Sequence, residues 1–88
     1  MARYQVLSWQ DIPSVVKAFE DDGTSLSRQL PDRFQQEIDR EAMRQGLTGS
    51  DEYLGQWHWN EVQDRPGSAA EVVDAVAEEL QRDFAPRS

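Results

Sequence analysis

Apolar residues recur along this chain with two different periods. From Arg3 to Trp9 the spacing is that of an extended strand, with Tyr4 and Val6 on one side and Leu7 and Trp9 on the other. Apolar groups on both sides predict an internal strand, or one whose second face is covered. Asp11-Ile12-Pro13 is expected to break it, because proline cannot donate to a ladder. Ser14 to Glu20 predicts a second strand, in which Val15, Lys17 and Phe19 alternate with Val16, Ala18 and Glu20. Asp21-Asp22-Gly23 is a turn signal and Thr24 to Gln29 a third, weaker strand, so Val15 to Arg28 reads as a hairpin.

The period then lengthens. Phe34, Ile38 and Ala42, with Met43 beside them, form a helical stripe, while Glu37, Asp39, Arg40, Glu41 and Arg44 are expected to point mostly outward. Asp32 can cap this helix, with Gln35 completing a capping box, and Gly46 ends it after Gln45. Ser50 or Asp51 is expected to start one helical turn through Tyr53 and Leu54, stopped by Gly55. Gln56 to Val62 predicts a fourth strand, and Asp64-Arg65-Pro66-Gly67 a loop. Ser68 and Glu71 form an S-x-x-E capping box ahead of the clearest stripe in the chain. That stripe is Ala69, Val72, Val73, Val76, Ala77, Leu80 and Phe84, and Pro86 ends the helix. The order β-β-β-α-β-α predicts a single α+β domain over residues 1–88. A small antiparallel sheet with two helices packed on one face would bury both stripes.

Charge narrows the partners. The 88 residues carry a net charge of −8, and residues 45–88 hold nine acidic against three basic groups. Such a surface repels nucleic acid and anionic membranes, whose binding needs Lys and Arg, and it would steer a basic protein partner toward the C-terminal half. No stretch approaches the roughly 20 apolar residues of a membrane span, and no secretory signal is visible, so a cytoplasmic protein is expected. With no cysteine, disulfides, thiolate nucleophiles and cysteine metal sites are excluded.

Candidate chemistry is sparse. Trp57-His58-Trp59 sets two of the three tryptophans around the sole histidine. In an extended segment both indoles share one face and the imidazole takes the other. Three uses follow: core packing, an exposed binding patch, or His58 as a base or ligand. A catalytic His58 would need an orienting partner and a pocket, and no spacing selects either. There is no G-x-S-x-G elbow, Walker A motif or G-x-G-x-x-G. Glu20-Asp21-Asp22-Gly23 lacks the ligand alternation of a calcium loop. No catalytic residue, metal ligand or cofactor is therefore assigned. The candidate interface residues are Trp9, Tyr53, Trp57, His58 and Trp59.

Four motifs in order carry a resemblance. They are Tyr4-x-Val6-x-x-Trp9-x-x-Ile12-Pro13; Leu30-Pro31-x-Arg33-Phe34 with Ile38-Asp39 and Ala42; Gly46-Leu47-Thr48-Gly49-x-Asp51-x-Tyr53-Leu54 leading to Trp57-x-Trp59; and Arg65-Pro66-Gly67-Ser68-Ala69-x-Glu71-Val72. Together they resemble the small bacterial "virulence factor" domain family over nearly the whole chain. The resemblance brings no catalytic residues with it, and includes Trp57 and Trp59 but not His58. It implies an accessory subunit or protein-interaction domain rather than a toxin. The alternative it implies is a small ligand-binding or enzyme subunit in folate or corrinoid one-carbon metabolism that uses the Trp57-His58-Trp59 strand. A homodimer that buries an exposed sheet face on itself is the third expectation.

Overall fold

A computed structural model of the chain describes residues 2–47 and 51–83. The elements run β1 (Ala2–Trp9), β2 (Ile12–Phe19), β3 (Ser25–Gln29), α1 (Asp32–Gln45), α2 (Asp51–Gly55), β4 (Trp57–Trp59), β5 (Gln63–Arg65) and α3 (Ala69–Asp83). All strand pairs are antiparallel, in the order β3-β2-β1-β4, with β5 also paired to β1. The fold is α+β, with the helices gathered on one face of the sheet.

Alternation along β2 explains that arrangement. Ile12, Ser14, Val16 and Ala18 are buried, while Pro13, Val15, Lys17 and Phe19 are half-buried. The buried positions meet both helices. Val16 and Ala18 join the stripe of α3 (Ala69, Val72, Val73, Val76, Ala77), and Ile12 joins Ile38 and Ala42 of α1. Extents of 42 × 26 × 17 Å fit two layers, one sheet and one tier of helices.

Local chemistry sets the helix ends. Ser68 and Glu71 make the expected capping box: the Glu71 N–H donates to Ser68 Oγ and the Ser68 N–H to Glu71 Oε1, each at 3.2 Å. Gly46 closes α1 in the left-handed region (φ 73°) and donates to the carbonyls of Ala42 and Met43. The start of α1 differs from expectation. Pro31 holds the N-cap position without a side-chain bond, and Asp32 is already helical. Gln35 instead donates to Asp39 at 3.0 Å, the next turn along. The expected positions Ser50, Phe84 and Pro86 lie outside the described residues.

Other expectations are corrected. Ile12 and Pro13 belong to β2, and the break falls at Gln10-Asp11 instead. Pro13 is tolerated because the β1–β2 register shifts beside it, from Leu7↔Val15 to Ser8↔Pro13, and so disrupts the ladder locally. The same irregularity puts Trp9 on the helix-covered side with Val6, not opposite it. The fourth strand is shorter than Gln56 to Val62, and Asp64-Arg65 is strand rather than loop. Three residues separate Trp59 from Gln63 while only two separate their partners Leu7 and Tyr4, so one extra residue bulges between β4 and β5. Asn60 fills the gap. Its Oδ1 accepts from the Val6 N–H at 2.8 Å, and its own N–H donates to the Val6 carbonyl at 3.1 Å. A side chain thus stands in for the missing ladder carbonyl. Within α1, Met43 is 70% exposed, while Glu37 and Glu41, expected outside, are each 3% exposed.

Candidate functional site

The aromatic residues gather where β1 turns into β2. Trp9 is fully buried, and its Nε1–H donates to the Tyr53 carbonyl at 2.9 Å. The Tyr53 ring lies 5.6 Å from Trp9 and 6.3 Å, edge-on, from Trp57. Tyr53 and Trp57 are half-buried against the Ile12–Ile38 cluster. The short α2 makes this possible by carrying Tyr53 across the sheet end. The spacing in favour of edge contact adds to the area these rings bury.

β4 pairs with β1 in the register Trp57↔Trp9, His58↔Ser8 and Trp59↔Leu7. Trp57 therefore belongs to the packed end, whereas Trp59 is 45% exposed. Of the five candidate interface residues, Trp9 is placed in the core, Tyr53 and Trp57 at its margin, and His58 and Trp59 at the surface. The structure brings Trp9, Tyr53 and Trp57 together as one stack. Trp59 stands apart from it, at one end of a cross-strand row that runs Trp59, Leu7, Val15 and Gln29 across β4, β1, β2 and β3.

Leu7, Val15 and Gln29 alternate with Val6, Val16 and Arg28 on the helix side, so this row lies on the face over which no helix of the described residues passes. The same face presents Lys17, the sole lysine, opposite Gln5 and Ser27. Arg3 stacks over the Phe19 ring at 5.6 Å at its far end. The sequence signal for this surface is the double-sided apolar pattern of β1. β1 is internal, as expected, yet its second face has no covering element among the described residues.

His58 has a structural partner. Its Nε2 lies 2.7 Å from the carbonyl oxygen of Gln10. A carbonyl only accepts, so Nε2 carries the hydrogen. Gln10 itself sits in the left-handed region (φ 54°) without being glycine or asparagine, and no sequence signal marks it. Three further contacts hold it: its N–H donates to the Gln56 carbonyl at 3.1 Å, and its side-chain amide exchanges bonds with that of Gln45 at 2.9 and 3.0 Å. Among the described residues no buried side-chain polar atom lacks a partner, and no group of three or more His, Asp or Glu is placed to hold a metal ion. No helix among them is long and apolar enough to cross a membrane.

Ion pairs fasten α3 to the sheet. Arg65 of β5 grips Glu79 of α3 with both guanidinium ends, Nη1 to Oε1 at 2.9 Å. This bond is the main cause holding Glu79 below the ordinary glutamate value of 4.5, against a smaller opposing desolvation. Glu41 is lowered likewise, first by Arg44 and then by Gln45, the side chains that cover it. Both carboxyls are depressed in the folded state, so each contributes stability above pH 4.5 that disappears as pH falls through the folded value. Thermal midpoints followed by circular dichroism should stay level from pH 7 to pH 5 and drop below about 4.5. In Glu79→Gln that drop should be shallower. An identical acid limb in the two proteins would count against this pair as a contributor.

A family model described as "Virulence factor" matches residues 7–87. No curated protein and no solved structure matches the chain.

Proposed function

This chain belongs to the virulence factor family, and from that premise we propose that it is a non-enzymatic accessory domain that binds a protein through the open face of its sheet. One observation carries the reading: the row Trp59, Leu7 and Val15 lies on a face with no helix over it among the described residues, and its terminal indole is 45% exposed. Tryptophan is enriched among the residues that carry most of the binding energy of an interface. The same face carries Lys17, and Arg3, which pairs with Asp21, lies at its far end, in a chain with a net charge of −8. His58 supports this reading rather than an enzymatic one, since its Nε2–H is engaged in tying β4 to the Gln10 turn.

The test is quantitative affinity capture with wild type, Trp59→Ser and His58→Ala, followed by reconstitution with the purified partner. A partner should bind wild type and His58→Ala alike and bind Trp59→Ser about tenfold or more weakly, the loss expected on removing a central indole. A partner held equally by Trp59→Ser sinks the proposal. So does a catalytic turnover of the isolated chain that His58→Ala abolishes.

A further inference from the structure

The two edges of the sheet are finished differently. On the β4–β5 side the bulge at Asn60 interrupts the ladder and fills it with a side chain, a device that blocks pairing with another strand. On the other side β3, Ser25-Leu26-Ser27-Arg28-Gln29, is fully exposed and contains no proline, glycine, lysine or bulge.

Register tells which backbone groups that edge offers. In an antiparallel ladder, bonded and non-bonded pairs alternate. The Glu20 N–H donates to the Thr24 carbonyl and the Leu30 N–H to the Ser14 carbonyl, each at 2.9 Å. These two ends mark the even-numbered residues of β2 and β3 as the bonded pairs. Leu26 and Arg28 therefore bond inward, while the N–H and C=O groups of Ser25, Ser27 and Gln29 point away from β2 to the free edge. The side chains of Leu26 and Arg28 lie on the helix side, where they form a groove with Ala70, Val73 and Asp74 of α3. Leu26 is 40% exposed in it, and an Arg28–Asp74 ion pair bridges its walls.

An open edge strand running beside a helix, with a groove between them that has Leu26, Ala70 and Val73 on its apolar side, is the geometry of strand addition. Main-chain bonds give affinity and every second side chain enters the groove. Charge selects the occupant. The wall of α3 exposes Glu71, Asp74 and Glu78, and from Ala69 to Glu78 it has no basic residue; Arg28 of the facing wall neutralises Asp74, so Glu71 and Glu78 set its net charge. We propose that β3 takes an added strand from a basic partner protein, an extended segment whose groove-facing side chains are aliphatic at the centre and Lys or Arg at the flanks. A second copy fits less well. Pairing β3 with itself across a two-fold axis would bring two acidic α3 walls side by side, where like charges repel. This site is at the opposite edge of the sheet from Trp59 and does not depend on the binding role given to that residue.

The probe is a fluorescein-labelled peptide, acetyl-Lys-Thr-Val-Thr-Val-Thr-Lys-amide, titrated at low salt by anisotropy. Wild type should bind it about tenfold or more tightly than the same peptide with Glu for Lys, or with N-methyl groups on alternate residues. Ser27→Pro removes one outward N–H without touching the β2 ladder, because edge strands accept proline there. It should weaken binding about tenfold, while Ser27→Ala stays within about twofold. Backbone N-methylation alters only the peptide, so it reads the same contact even where Ser27→Pro folds poorly. Failure of the Lys peptide to bind, or binding indifferent to its N-methylation, overturns the proposal. Concentration-dependent sedimentation that Ser27→Pro abolishes would overturn it in favour of a second copy.

Discussion

Trp9→Ala is expected to leave this domain largely unfolded at room temperature. The indole is fully buried among Ile12, Ile38 and Ala42, so its removal opens a cavity that two strands and a helix line. Truncations of this kind cost about 3–5 kcal/mol. The Tyr53 carbonyl also loses the Nε1–H at 2.9 Å but keeps the Gln56 N–H at 3.2 Å, so the lost hydrogen bond adds about 0.5–1.5 kcal/mol. A chain of this length has a total stability of about 4–13 kcal/mol, so the combined loss of about 3.5–6.5 kcal/mol takes from about a quarter of it to all, and most of it in the lower half of that range. Trp9→Phe separates the two costs. It fills most of the volume, keeps the ring contact with Tyr53 and forfeits only one of two hydrogen bonds to that carbonyl, so it should lose about 0.5–1.5 kcal/mol. Urea titration followed by circular dichroism measures both. An Ala variant within about 1 kcal/mol of wild type would mean that α1 and α2 are not anchored through this residue.

The same residue shows where sequence reasoning reached and where it stopped. Strict alternation assigns Trp9 to the side of Leu7, yet it shares the helix-covered side with Val6, because the register shifts between Leu7 and Ser8. A bulge is decided by how two strands pair, which no single strand encodes. Asn60 is a similar case. Its side chain replaces a ladder carbonyl where β4 ends at Trp59, short of the expected Val62, and nothing in its neighbours marks that role. By contrast, α3 and the Val15–Arg28 hairpin were legible, since a capping box, a stripe of seven positions and a glycine turn are local signals. The burial of Glu37 and Glu41 was not legible. Arg40 and Arg44, three residues on, pair with them and cover them, so their polarity says nothing of their exposure.

In the site, the spacing of Trp57 and Trp59 predicted equivalence. The structure separates them because α2 brings Tyr53 against Trp57 and leaves Trp59 with no ring beside it among the described contacts. The strand-addition edge was hidden for another reason. Which groups of β3 face outward depends on the parity of its pairing with β2, and the groove beside it depends on where α3 comes to rest.

Val15 and Val16 turn that parity into the sharpest contrast available. They are adjacent in sequence and identical in chemistry, and both sit in the strand that touches α1, α3, β1 and β3. Val16 is fully buried and faces the helices, among Val6, Ala18 and Val73. Val15 is half-buried on the open face, between Leu7 and Gln29. An aspartate at Val16 would be an unpaired charge in the core. Even after relaxation and water penetration its desolvation costs several kcal/mol, comparable to the whole stability of the domain. Val16→Asp should therefore be unfolded at neutral pH. At Val15 the same carboxylate reaches water and lies on the face that carries Lys17, so Val15→Asp should lose no more than about 1–2 kcal/mol and keep its circular dichroism spectrum. Its effect should appear in binding instead, because it puts a charge into the middle of the Trp59–Leu7–Val15 row. If Val15→Asp unfolds as readily as Val16→Asp, that face is packed against something in the folded chain and is not free to bind. If it folds and holds the partner as tightly as wild type, the partner lies elsewhere, and the β3 edge becomes the surface to test first.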